Sequence, residues 1–130
     1  MLLFGHRFIQ SDNFYHIIDI EAISKTPPNA TIFLEFSEKN LDIIKYLNEN
    51  SVKFVLNINT LTELIYASSL NAIYIVVSQE LAKSAQNIAE SYLFDAKILV
   101  SIENEESIEE MAELGIDGVI FSNAIIKINS

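Results

Sequence analysis

Apolar residues recur along this chain in two alternating rhythms. Where they fall on every second position the segments read as strands: TIFLEF (31–36), KFVLNI (53–58), residues 73–78, KILVSI (97–102) and residues 118–122, with a sixth inside Leu2–Ile9. Between the strands the period lengthens to that of a helix. Ile43, Ile44 and Leu47 form one stripe, and Leu61, Leu64, Ile65 and Ala67 a second. Leu81, Ala85, Ile88, Ala89 and Tyr92 form a third, and Ile108, Met111 and Ala112 a fourth. Residues 14–23 are expected to be helical too, with Ser11 or Asp12 as the cap. Asn104 is placed to cap the last helix, Glu105 and Glu106 suit its positive end, and Gly115 sits where a left-handed C-cap is wanted. KTPPNA (25–30) reads as a rigid turn into a strand.

The chain repeats itself. Residues 52–78 lie over residues 96–122 without a gap, so that Lys53 falls on Lys97, Ile58 on Ile102, Leu70 on Leu114 and Ser78 on Ser122. Half that shift places TIFLEF over KFVLNI. The expected fold is therefore α/β: a single domain over residues 1–130, with about six parallel strands in repeated βα units. The strands set an apolar face (Phe54, Leu56, Ile58) against a mixed one (Lys53, Val55, Asn57), as a barrel lumen would. A full (βα)₈ barrel typically needs about 250 residues, so the reading is a half or truncated TIM barrel. The alternative is an open, doubly wound, flavodoxin-like sheet.

The span from Lys53 to Asn123, with its LVSIENEESIEEMAELGIDGVIFSN, resembles the central βα units of phosphate-binding TIM barrels, and most of all indole-glycerol-phosphate synthase. The resemblance implies that Lys53 stands at the family's strand lysine. It puts Ser101 where the catalytic glutamate would be, and Ser122 or Asn123 at the strand-end asparagine. Serine cannot act as a carboxylate acid or base, so synthase activity is not expected. None of the three glycines builds a phosphate-cradling loop.

Composition narrows the chemistry. Half the residues are hydrophobic, enough for a core, and the net charge of −10 argues against nucleic acid and anionic membranes. There is no cysteine, hence no thiolate chemistry or disulfide. No apolar run approaches the roughly 18 residues of a membrane span; a cytoplasmic location is expected. No cofactor motif, receiver phosphoacceptor or Walker loop occurs, so no cofactor or metal is assigned. The helix acids at 103–113 read as a solvated face.

Two groups of residues could bind a ligand. Aligning the repeats gives a column of strand-end residues, Glu35, Asn57, Ser78, Ser101 and Ser122, on the rim where barrels and open α/β sheets keep their sites. The plainer reading is helix capping, as by Ser78 before QELAK. The sole arginine, Arg7, lies beside His6 with His16 nearby, among Phe4, Phe8, Phe14 and Tyr15. Arg7 and His6 could hold a small anionic metabolite. The plainer reading is an edge strand with an aromatic self-association surface. We expect a non-catalytic scaffold or small-ligand-binding module, assembled as a homodimer that covers the inner face and edges of a half-barrel. The alternative is a lyase or isomerase acting on a phosphorylated or carboxylated metabolite.

Overall fold

The computed structural model describes residues 1–129 and shows eight short strands and four α-helices. In chain order the strands are β1 (Leu2–Phe4), β2 (Phe14–His16), β3 (Thr31–Glu35), β4 (Phe54–Asn57), β5 (Tyr74–Val77), β6 (Lys97–Ser101), β7 (Gly118–Ile120) and β8 (Ile125–Lys127). The helices are α1 (Leu41–Glu49), α2 (Leu61–Ser69), α3 (Ala82–Ser91) and α4 (Glu106–Glu113). All strands are parallel, in the order β1-β7-β6-β5-β4-β3-β2-β8. The result is an open, curled sheet, a half-barrel.

Side-chain alternation produces two apolar layers. Ile32, Leu34, Phe54, Leu56, Ile75, Val77, Ile98, Val100 and Val119 point outward and pack with Ile43, Ile44 and Leu47 of α1, Leu64 and Ala67 of α2, Ala85 and Ala89 of α3, and Met111 of α4. The other face carries Phe4, Phe14, Phe33, Val55, Val76, Leu99 and Ile120, which form a separate cluster with Ala124 and without any α-helical residue. Helices on one face only is the barrel arrangement; a doubly wound sheet would cover both.

The inner face is not left open. Its cluster members are all buried within the single chain. The rings of Phe4 and Phe14 lie 4.9 Å apart, and Phe4 meets Tyr74 of β5 at 5.4 Å. β1, at one end of the sheet order, and β2, next to the other end, thus touch through their aromatics. The polar residues of the mixed face, Lys53 and Asn57, turn out to sit at the strand's two ends, outside this dry layer.

Two strands are additional to the six expected. Residues 14–23 are not a helix: β2 occupies Phe14–His16, pairing with β3 on one side and β8 on the other, and a 3-10 turn follows at Glu21–Lys25. The run FYHII is aromatic and β-branched, which favours extended backbone, and Ile17 donates to the Phe33 carbonyl to continue the ladder. The segment read as one strand over 118–122 stops at Ile120; a 3-10 turn (Ser122–Ala124) then steps the chain across to β8. The helix ends differ in detail. Gly115 has the expected left-handed backbone (φ 75°). The Asn104 and Ser78 side chains make no capping hydrogen bond, although their backbone carbonyls accept from Ser107 and Leu81 in the first turns.

Asp117 fastens β1, β6 and α3 together. Its carboxylate accepts from the Ile98 amide at 2.9 Å, its amide donates to Oε1 of the buried Gln86 at 3.0 Å, and its carbonyl accepts from the Leu2 amide at 2.9 Å. Next to it, β1 passes so close to β7 that a Cβ on Gly118 would stand 2.7 Å from Leu2 Cβ and 2.8 Å from the Leu2 carbonyl oxygen. Backbone cannot yield cheaply there. Gly118→Ala is expected to lower stability by about 1–3 kcal/mol, read as a lower urea midpoint, with β1 amides losing hydrogen-exchange protection before those of β4 and β5.

Candidate functional site

Because every strand is parallel, all strand C-termini open on one rim. His6 and Arg7 follow β1 there, as Asn57 follows from β4 and Ser101 from β6. The rim residues do not form one level ring. Glu35 is in register with Asn57, but Asn57 is opposite Val76, and Ser101 is opposite Ile120. Level with Glu35 and Asn57 lie Val76, Leu99 and Gly118, so Ser78 and Ser101 stand two residues further along than a flat column would place them, and Ser122 four. This stagger is the shear that curling a sheet requires, and it divides the rim into three groups.

The first group joins β1 to the segment before α4. His6 Nε2 lies 2.9 Å from Glu105 Oε1, while His6 Nδ1 accepts the Phe8 amide at 3.1 Å. With Nδ1 accepting, the neutral ring carries its proton on Nε2, aimed at the carboxylate. One Arg7 nitrogen, Nη2, reaches both Glu105 oxygens, at 3.2 and 3.4 Å, and the guanidinium lies 4.5 Å over the Phe8 ring. His6 also packs edge-on to Phe8 and beside Phe121. The proposed anion holder is thus already occupied by an internal carboxylate.

The second group is a shallow cleft of about 360 Å³ between the ends of β5 and β6, lined by Ser78, Gln79, Glu80, Ser101, Glu103 and Asn104. None of these six side chains bonds to another described residue. Glu105, held by His6 and Arg7, is the next residue after Asn104, so the clasp anchors one wall of the cleft.

The third group lies on the opposite side, around β2. Asn57 Nδ2 donates to Glu35 Oε2 at 2.7 Å. His16 is in register with Phe33 and Lys127 on its two neighbours and packs edge-on to the Phe33 ring at 5.2 Å. Burial holds the His16 imidazole below its usual value of 6.5; the Glu35 carboxylate partly offsets this, and Lys127 adds to it.

Of the strand-end column, Glu35 and Asn57 are brought together, Ser78 and Ser101 share the cleft, and Ser122 is exposed in the turn after β7, apart from both. Lys53 lies at the N-terminal end of β4, beside Ser24, Thr26 and Ser51, on the face opposite the rim. Sequence reasoning missed Glu80, Glu103, Glu105 and Lys127 as site residues and did not place His16 on the rim. Glu103 and Glu105 were hidden in a run that reads as helix surface; the repeat places Glu103 at the position of Asn59, before the helix begins, and Glu105 at that of Leu61, the first residue of α2. Among the described residues no three His, Asp or Glu side chains converge as a metal site requires, and no helix is long and apolar enough to cross a membrane. No protein-family model matches the chain, and no curated protein matches it.

The lowered His16 value has a defined consequence. Between its folded and unfolded values the unfolded chain binds more protons, so the neutral imidazole's contribution is complete above about pH 6.5 and is lost as the pH falls below it. Urea midpoints from neutral pH down to mildly acidic pH should decline more steeply in the wild type than in His16→Phe. Equal slopes would mean that burial of this ring does not act on stability.

Proposed function

We propose that the chain is a non-catalytic half-barrel module that binds a small polar ligand in the cleft between β5 and β6. One observation carries this reading. Six polar residues line a concave part of the C-terminal rim, and none of their side chains bonds to another described residue. Polar groups without a structural duty on the rim that α/β architectures use for ligands are best accounted for by a ligand. The lining offers two hydroxyls, two carboxamides and the two carboxylates of Glu80 and Glu103. That set suits an uncharged polyhydroxy compound or an organic cation. An anionic metabolite would meet both carboxylates, and to reach Arg7 it would have to displace Glu105.

A second reading, proton-transfer chemistry by a lyase or isomerase, draws on a different observation. His16 has no hydrogen bond to either ring nitrogen among the described residues and sits by Glu35 on the same rim. The resemblance to indole-glycerol-phosphate synthase speaks for binding over synthase chemistry, since Ser101 takes the glutamate position and Lys53 lies on the far face. For self-association, a second copy would add at the edges of β1 or β8, because the inner face is already filled.

Thermal melts test the binding reading, with sugars, polyols, amines, carboxylates and phosphate each at low millimolar concentration, below the range of general osmolyte effects. A ligand at about 100 times its Kd stabilises by about 2.7 kcal/mol, a shift of several degrees for a domain of this size. The expected result is such a shift with a polyol or an amine, abolished in Ser101→Phe and weakened in Glu80→Gln. A shift only with anions that survives Ser101→Phe would remove the cleft as the site.

A further inference from the structure

The β2 side of the rim has features that the cleft does not explain. Two opposite charges, Glu35 on β3 and Lys127 on β8, flank one imidazole on the strand between them. They do not pair with each other. Ion pairs among the described residues join His6 and Arg7 to Glu105 and Lys45 to Glu49, and the Lys127 side chain makes no hydrogen bond to a described residue. Glu35 is oriented instead by Asn57 Nδ2, which leaves Asn57 Oδ1 free to accept. His16, half-buried against Phe33, forms the floor, and neither of its ring nitrogens is engaged.

The spacing suits a small bridging molecule. Parallel neighbours lie about 4.8 Å apart, and Glu35 stands two residues beyond the level of His16 and Lys127, so the backbones of Glu35 and Lys127 are separated by about 12 Å. Two hydrogen bonds of about 2.8 Å plus the short distance between the ammonium and carboxylate of an amino acid span about 8 Å, within reach of the two flexible side chains. A ligand with one charge would satisfy one of the two charged side chains and leave the other unpaired; one that carries an ammonium and a carboxylate on a single carbon satisfies both.

We propose that His16, Glu35, Asn57 and Lys127 form a second binding site, for the zwitterionic head of an α-amino acid. Glu35 and Asn57 Oδ1 accept from its ammonium, Lys127 donates to its carboxylate, and the ligand's α-carbon rests over His16. The inference goes beyond the proposed function, which concerns the β5–β6 cleft, and the two fail separately because they share no residue.

The test is an NMR titration of the two histidine rings in the full chain, near neutral pH, with each of the standard amino acids up to about 10 mM, the range expected for a weak small-ligand site. The methyl esters and N-acetyl derivatives of any binder serve as controls. We expect at least one amino acid to shift the His16 resonances saturably while His6 stays in place. The ester and the N-acetyl form should bind about tenfold more weakly or worse, as should Lys127→Met and Glu35→Gln, since each loses a charge-assisted bond. Both substituted side chains are exposed, and an unchanged His6 signal reports that the variants remain folded. No movement of His16 with any amino acid overturns the proposal. So does equal binding of the ester and N-acetyl forms, or binding retained in both variants.

Discussion

Everything in this molecule depends on the layer of side chains that the sheet closes over on its concave face. Phe4, Phe14, Phe33, Val55, Val76, Leu99 and Ile120 come from seven different strands, one from each, and they meet only if the sheet curls. Dispersion and burial of apolar surface drive that meeting, and the three aromatic contacts among Phe4, Phe14 and Tyr74 bring its far strands together. Strands of three to five residues have too few ladder hydrogen bonds to hold an open parallel sheet by themselves. Packing on both faces, helices outside and this layer inside, compensates for their shortness.

The curl creates the rim. Parallel strands drawn round one core deliver all their C-terminal ends to one side, and the stagger of the curl separates those ends into groups. Polar residues become possible only where the dry layer stops, and Glu35, Asn57 and Ser101 take the positions just beyond Phe33, Val55 and Leu99 on the same face. Chemistry is thus confined to one layer above the core. The His6–Glu105–Arg7 clasp spans from β1 to the segment before α4, tying the first strand's trailing loop to the wall of the cleft.

Much of this was legible in the sequence. The alternation in KFVLNI and KILVSI named the two faces, and the repeat placed α2 over α4 and β4 over β6 in the register observed. Period-2 and period-3.6 patterns are local, so local inspection finds them. What failed was decided at long range. Residues 14–16 become a strand because β3 and β8 are there to pair with them, and β8 exists because the turn at Ser122–Ala124 carries three residues to β2. The site was half legible. Strand-end polarity pointed to the rim, but an alignment column is flat and the sheet is sheared, so Ser122 fell outside and Lys127 was overlooked. A dimer was expected because an open half-barrel leaves its inner face and two edges uncovered; here the chain's own side chains fill the inner face, and the edges of β1 and β8 remain.

One chain fills its own concave face. Isotope-filtered NOE spectroscopy on a mixture of labelled and unlabelled protein tests it directly. NOEs are expected from the Tyr74 ring to the rings of Phe4 and Phe14, all within a single chain, as their 5.4 and 5.8 Å separations require. If those NOEs are missing, or arise only between labelled and unlabelled copies, the sheet does not curl onto itself and the rim described here is not formed by one molecule.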